Sequence, residues 1–281
     1  MTQEIQEIQA LVPDLMAPAP AFSVREYAAT AVGSLRDELD LAAFEAQPLA
    51  AEVLRVVAFL RALEHATMNQ MRDMLITPSH RDARVTAFLT TWAYEKFWIA
   101  DALGAVLARH PAVTLGAQAL RHRIGGTVRA ALDRFRPIGE SIVANTIGTD
   151  VIAVHMARGT IDTWLAQAAY ERVAELARHP ELGRLFERIR GVKQRHLDFL
   201  HPQAEFRLAE SAGARALARR RLARADWPAG SDAQPRSEVG FFFGQLFQGA
   251  QELLDELDAR VQTLPGQGGL AVLRRRFEAL A

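Results

Sequence analysis

Two lysines are the residues of this chain whose type and position first suggest chemistry. Lysine and arginine together number 33, yet Lys96 and Lys193 are the only lysines. Each interrupts a series of apolar residues spaced three and four apart, which is the buried face of a helix. Burial disfavours the ammonium form and lowers the pKa of a lysine. A lysine in such a position can serve as a general base or form an imine with a carbonyl compound.

Three acidic or basic side chains interrupt apolar faces in the same way. They are Glu64, Asp162 and His196, the last of which follows Lys193 by three residues. Glu64 and Lys96 are 32 residues apart, and Asp162 and Lys193 are 31 apart. In two antiparallel helical hairpins, such similar spacing would bring all of them to one level. We therefore predict a catalytic cluster of these five residues, with the carboxylates as charge partners of the lysines and His196 as a proton shuttle.

Four neighbouring residues are candidates for contact with a substrate. Trp92 and Ile99 lie one turn from the first lysine, whereas His155 lies two turns before Asp162 and Arg158 one turn before it. Arg158 could pair with Asp162 or bind an anionic substrate. Trp92 and His155 are also suited to ordinary roles in a packed core.

Composition excludes several classes of function. There is no cysteine, and hence no disulfide, thiolate nucleophile or cysteine-based metal site. The formal net charge is zero, so nucleic-acid binding is not expected, and the basic cluster at 215–224 is expected to be a solvated helix face. The chain has no apolar run of membrane-spanning length and no signal-peptide pattern at its start. We expect a cytoplasmic protein without a membrane partner.

The hydrophobic periodicity is helical nearly everywhere, which predicts an all-α fold. One domain is expected, with an N-terminal arm at 1–47, a bundle core at about 48–225 and C-terminal helices at 236–281. The predicted helices are 27–39, 48–75, 81–109, 116–136, 150–178, 181–225 with a possible bend near Pro202, 236–263 and a short one after Gly269. Two pairs of long helices joined by a crossover of about 40 residues describe a four-helix bundle.

Several segments resemble ferritin-like di-iron carboxylate proteins, in particular the branch that includes relatives of acyl-carrier-protein desaturases. The segments are Thr91–Trp98, Gly159–Tyr170, His179–Leu182 and Val192–Phe199. The resemblance covers roughly 49–243, and the third and fourth long helices carry most of it. It implies a ferritin-like four-helix bundle with a carboxylate on the first and third helices and a Glu-x-x-His pair on the second and fourth.

The chain departs from that pattern where the metal ligands belong. Glu64, Asp162 and His196 match ligand positions, but Lys193 replaces the fourth-helix glutamate. Lys96 with Ile99 replaces the second-helix pair, and an alternative register, Glu95 with Trp98, also lacks the histidine. Two metal ions need several anionic oxygens, and here two carboxylates have been exchanged for cations. We therefore expect a degenerate di-iron site with no metal and no other cofactor.

Three functions follow as hypotheses. The first is a metal-independent enzyme of specialised metabolism that uses the buried lysines for acid–base or imine chemistry on a small organic substrate, such as isomerisation, cyclisation or amine–carbonyl condensation. The second is a non-catalytic scaffold or binding protein whose charged core is a structural ion-pair network. The third is a single-metal oxidase that uses Glu64, Asp162 and His196. A homodimer is possible, because four phenylalanines near the C-terminus could cover the bundle or form a subunit contact; they are Phe241, Phe242, Phe243 and Phe247.

Overall fold

The described part of the protein is all-α, as the periodicity predicts. The computed structural model describes residues 22–110 and 148–280, and contains no strand in them. The predicted helical stretch 116–136 and residues 1–21 of the N-terminal arm lie outside these residues. The helices are α1 (Val24–Ala29), α2 (Leu41–Ala46), α3 (Ala51–His65), α4 (Thr67–Leu75), α5 (Ala83–Ala108), α6 (Asp150–Ala177), α7 (Pro180–Glu210), α8 (Ala212–Arg224), α9 (Arg236–Phe247), α10 (Gln251–Thr263) and α11 (Val272–Leu280). Short 3-10 helices occur at Arg36–Glu38, Pro78–Arg81 and Ser231–Ala233.

Two of the long helices, α5 and α7, begin at residues whose side chains accept hydrogen bonds from their first backbone N–H groups. The Asp82 carboxylate caps α5 by accepting from the N–H groups of Arg84 and Val85 at 3.0 Å each. At the start of α7, His179 Nδ1 accepts from the Leu182 N–H group at 3.2 Å. Pro180 occupies the first helical position, where no N–H group is needed.

The helices pack as two pairs. α6 and α7 lie against each other along their length, and α3 packs against α5. The two pairs meet across a core to which α3, α5, α6 and α7 all contribute buried side chains. α8 returns along α6, and the C-terminal helices α9 to α11 pack on one another and reach α3 and α6. No helix in the described ranges has the length and apolar character required to cross a membrane.

The short helix predicted at 27–39 ends at Ala29, and only the 3-10 helix at Arg36–Glu38 follows it. Three longer predicted helices are divided in the structure. The helix predicted at 48–75 is interrupted at Ala66, where the Thr67 hydroxyl donates to the Glu64 carbonyl at 2.6 Å and competes with the helical bond. The helix predicted at 181–225 runs through Pro202 and ends instead at Ser211, which caps α8. The helix predicted at 236–263 is divided near Gly249, whose φ is +76°.

The C-terminal phenylalanines pack within their own chain. Phe242, Phe243 and Phe247 are buried, and the Phe242 ring lies 4.6 Å from that of Phe59 on α3, centroid to centroid. Of the two roles considered for them, the packing therefore favours covering the bundle over a subunit contact. Met68, which the periodicity places on the buried face of the first long helix, is 60% exposed because α4 is offset from α3.

Candidate functional site

Glu64, in the last turn of α3, is the point at which the two helix pairs meet through polar contacts. Its carboxylate oxygens lie 2.6 and 2.8 Å from Nζ of Lys193 on α7. Nζ of Lys96 on α5 is 3.5 Å from Oε2, and the hydroxyl of Tyr170 on α6 donates to Oε1 at 3.0 Å. Four helices thus contribute to the surroundings of one carboxylate.

The electrostatics of this cluster follow from its burial. The side chains of Glu64, Lys96 and Lys193 are 4%, 5% and 3% exposed. Burial alone would raise the pKa of Glu64, but the ammonium groups of Lys193 and Lys96 hold that pKa at about 2. Burial lowers the pKa of Lys193 to about 8; the Glu64 carboxylate opposes this shift and the Lys96 charge adds to it. Two cations therefore share one directly contacting anion.

Lys96 is also held by an aromatic face. Its Nζ lies 4.7 Å from the centre of the Trp92 ring, one helical turn earlier, within the range of a cation–π interaction. Trp92 is buried, and Ile99, one turn later, is fully buried among apolar side chains. Both predicted substrate contacts therefore surround the lysine, Trp92 by direct contact and Ile99 by packing.

A second buried cluster is centred on Glu95, one residue before Lys96. Oε2 of Glu95 lies 2.9 Å from Nε2 of His196 and accepts from the Tyr27 hydroxyl at 2.8 Å. Oε1 accepts from the Val32 N–H group at 2.9 Å and is 3.2 Å from the Arg195 guanidinium. These hydrogen bonds hold the pKa of Glu95 below its ordinary value although burial opposes them.

His196 is therefore oriented by Glu95 rather than by the lysine cluster, which consists of Glu64, Lys96 and Lys193. Burial lowers the pKa of His196 to about 4; the Glu95 hydrogen bond opposes the shift and the Lys193 charge adds to it. A neutral imidazole bonded to a carboxylate through Nε2 carries its hydrogen there, which assigns the lone pair to Nδ1. Nδ1 is buried and has no hydrogen-bond partner among the described residues.

From the sequence, Glu95 was considered as part of an alternative register and as a residue beside the apolar stripe, either a partner of the site or solvated. Its side chain points away from the face that carries Lys96, and its partners Tyr27 and Val32 belong to the N-terminal segment, 68 and 63 residues away. The one available signal was a glutamate flanked by Tyr94 and Lys96 in an otherwise apolar stretch, which does not distinguish a buried from a solvated position.

Asp162 lies apart from the lysine ammonium groups. Its Oδ1 accepts from the Ala229 N–H group at 2.7 Å, in the loop after α8. It makes no ion pair with Lys96 or Lys193 in the part of the chain that the structure describes. Burial raises its pKa, while the more distant charge of Lys96 and the Ala229 hydrogen bond oppose that shift. Of the predicted cluster of five, the structure joins Glu64, Lys96 and Lys193 directly. Asp162 is bonded to Ala229 and His196 to Glu95 instead.

His155 and Arg158 extend this side of α6. His155 Nε2 is 3.3 Å from the Thr77 hydroxyl, and burial with the charges of Arg158 and Arg221 lowers the pKa of His155 to about 4. Arg158 donates to the Asp226 carbonyl at 3.3 Å. Both therefore join α6 to neighbouring loops, and neither makes a recorded contact with the lysine cluster.

Two surface clefts, of about 630 and 660 Å³, lie away from this core. The first is between α8 and the start of α11, and the second is between α6 and the start of α10. No residue of the predicted site lines either cleft. Within the described ranges, no three His, Asp or Glu side chains are grouped so that they could hold a metal ion.

Comparisons with known proteins find no relative of this chain. No protein-family model, no curated protein and no solved structure matches it.

Proposed function

We propose that this protein is a metal-independent enzyme on a ferritin-like scaffold, in which the amine of Lys193 reacts with a small organic carbonyl compound or removes a proton from it. The observation that carries the proposal is the state of Lys193. Its Nζ is buried against Glu64, beside a second lysine, with its pKa lowered to about 8. A lysine whose pKa is close to neutral pH is partly in the free amine form, whereas an ordinary surface lysine is almost fully protonated.

The surrounding groups have matching roles in this proposal. Lys96 adds the second positive charge that favours the neutral amine, as a cationic neighbour does for other reactive lysines. Glu64 is bonded to Lys193 and Tyr170, so it orients the amine, and its pKa of about 2 keeps it a carboxylate. His196, with Nδ1 unbonded in the described structure and its ring fixed by Glu95, is the proton shuttle.

The imine step would proceed as follows. The lone pair of Nζ attacks the carbonyl carbon, the carbonyl oxygen leaves as water after two proton transfers, and a C=N bond replaces C=O. The substrate must reach a side chain that is 3% exposed, so helices have to part to admit it. We place that opening beside Asp162, which is half-buried under the loop carrying Ala229.

Reductive trapping tests the proposal directly. The folded protein is incubated with glyoxylate, acetone or benzaldehyde and sodium borohydride, digested, and analysed by mass spectrometry. We expect a secondary amine on Lys193, formed faster as the pH rises through about 8. With only two lysines in the chain, the adduct can be assigned without ambiguity.

Matched variants serve as controls for trapping. Lys193→Met should remove the adduct while circular dichroism stays unchanged, and Lys96→Met should slow trapping at Lys193. If folded protein is modified only at its N-terminal amine, while urea-unfolded protein reacts at both lysines, the proposal is wrong.

A structural ion-pair core is the second candidate, and one observation favours it. Lys96 and Lys193 are buried and both are paired with Glu64, and the two surface clefts do not reach them. A protein of this kind would be a scaffold or binding protein. Lys193→Met would then change thermal stability alone, and no carbonyl probe would be trapped.

A single-metal oxidase has less support. Glu64, Asp162 and His196 bond to Lys193, Ala229 and Glu95 respectively. Elemental analysis of protein purified without metal, and again after iron loading under reducing conditions, distinguishes this candidate. Near-stoichiometric iron or manganese, lost on His196→Ala, would favour the oxidase and contradict the metal-independent proposal.

A further inference from the structure

An arginine-lined cleft lies on the surface between α8 and the turn that precedes α11. Four guanidinium side chains line it, Arg219, Arg220 and Arg224 from α8 and Arg275 from α11, and its volume is about 630 Å³. The rest of the lining is alanine, glycine and Leu270, so no acidic residue lines it in the described part of the chain. The volume falls in the range of small-molecule sites.

Two of these arginines are fixed by backbone carbonyls. Arg219 Nη1 donates to the carbonyls of Gly268 at 2.9 Å and Gly266 at 3.4 Å. Arg275 Nε donates to the Ala271 carbonyl at 3.1 Å. Each guanidinium keeps further N–H donors for a ligand, and a side chain already held in place loses less entropy on binding.

No acidic side chain in 22–110 or 148–280 pairs with an arginine of α8. The helix contains five arginines and no acidic residue. Arg220 and Arg224 are one turn apart, and like charges at that spacing destabilise a helix. None of the four arginines of the cleft forms an ion pair with a residue in 22–110 or 148–280. An attraction for the helix C-terminus accounts for Arg224, but not for Arg219 near the middle or for Arg275 on another helix.

The three consecutive arginines Arg274–Arg276 differ in whether they have an acidic partner. Arg274 pairs with Asp255, and Arg276 lies 3.0 Å from Asp226. Arg275 lines the cleft instead and has no acidic partner among the residues described. In the described ranges, carboxylates thus neutralise the outer two charges but not the middle one.

We propose that this cleft binds a small molecule carrying a diphosphate group. Four guanidinium groups match a ligand with several negative charges, and arginine pairs with phosphate oxygens through two parallel hydrogen bonds. A single carboxylate or chloride ion would leave most of that charge uncompensated. The site is separate from the lysine cluster, so the proposal does not depend on the lysine chemistry.

Isothermal titration calorimetry with inorganic pyrophosphate tests this at constant ionic strength. We expect saturable binding at one site and binding of orthophosphate about tenfold weaker or worse, a difference of about 1.4 kcal/mol. The double variant Arg220→Gln/Arg224→Gln, and separately Arg275→Gln, should weaken pyrophosphate binding about tenfold. Arg188→Gln and Arg260→Gln, which alter arginines paired with acids elsewhere, should not change it.

Other outcomes would overturn the proposal. One is that millimolar pyrophosphate gives no saturable heat. Another is that the cleft variants and the control variants, with folding verified by circular dichroism, bind pyrophosphate with equal affinity. A third is that the protein does not bind pyrophosphate but sediments with phosphatidylglycerol vesicles. The cleft would then be a membrane contact, and the proposal would be wrong. Lys193→Met should bind pyrophosphate normally, which keeps this test distinct from that of the lysine chemistry.

Discussion

At the scale of single residues, Glu64 is the side chain on which the central network depends. Among the described residues it is the only carboxylate within ion-pair distance of either lysine. Removing one partner of a buried ion pair lowers the free energy of unfolding by more than the intact pair contributes to it, because the remaining charge stays buried without a partner. Two ammonium groups would remain if Glu64 lost its charge.

We predict that Glu64→Gln lowers the free energy of unfolding by about 3–5 kcal/mol. Urea denaturation followed by circular dichroism measures the change. Glu256→Gln is the matched control, because it breaks an exposed pair with Arg260 and should cost less than about 1 kcal/mol. Equal losses in the two variants would mean that the central pairs contribute no more than a surface pair.

The lowered pKa of Lys193 predicts a rise in stability at alkaline pH. The folded protein releases this proton near pH 8, whereas the unfolded chain does so near 10.5. Between these values the unfolded state binds more protons, so the free energy of unfolding increases with pH. Above pH 10, Tyr27 and Tyr170 act in the opposite direction, because burial raises their pKa values. Lys193→Met should therefore flatten the slope between pH 8 and 10 in urea titrations, and unchanged slopes would contradict the assignment.

At the scale of helices, the unexpected features are the interruptions. α9 and α10 are separated near Gly249, where φ is +76° and a glycine avoids the strain of a left-handed backbone. Ser211 both caps α8 through the Ala214 N–H group at 3.0 Å and donates to Asp150 of α6 at 2.9 Å. These breaks allow short helices to return along the bundle instead of extending beyond it.

Two glycines of one region make a matched test of the Gly249 break. A Cβ at Gly249 or at Gly244 would meet no atom within 4 Å, so neither substitution causes a steric clash. Gly249→Ala should nevertheless destabilise by about 1–2 kcal/mol because of its positive φ. Gly244→Ala lies within α9 and should stabilise by about 0.5–1 kcal/mol. Thermal unfolding measures both, and shifts of the same sign would contradict the role given to the backbone.

At the scale of the whole molecule, the C-terminal helices and the bundle share one core. Phe242 of α9 packs on Phe59 of α3, and the buried apolar side chains of both regions form a continuous cluster. The single domain expected from the sequence stays a prediction. The homodimer does too, although Phe242, Phe243 and Phe247 are buried within the single chain.

A one-domain protein should unfold in one transition. All four tryptophans precede α9, so fluorescence reports the bundle while far-UV circular dichroism also reports α9 to α11. We predict coincident urea midpoints for the two signals. Phe242→Ala should lower both equally, with a loss of about 3–5 kcal/mol. A fluorescence midpoint that does not move would show that the C-terminal helices unfold separately.

The sequence by itself determined the helical class and the burial of the two lysines, Glu64 and His196. Periodicity is a local property, so a polar residue in an apolar stripe identifies a buried polar position without knowledge of any partner. The bounds of α5 and α6 were close to those predicted for the same reason, because helical periodicity runs through both from end to end.

Only the tertiary structure decided which buried charges meet. Lys193 and Glu64 are 129 residues apart in the sequence. The rotation of each helix about its axis determines that both lysines contact Glu64. It also determines that Asp162 is bonded to the loop at Ala229. The same rotation turned Glu95 towards His196 and the N-terminal segment. No local pattern encodes these pairings, because they arise from how separate helices pack against one another.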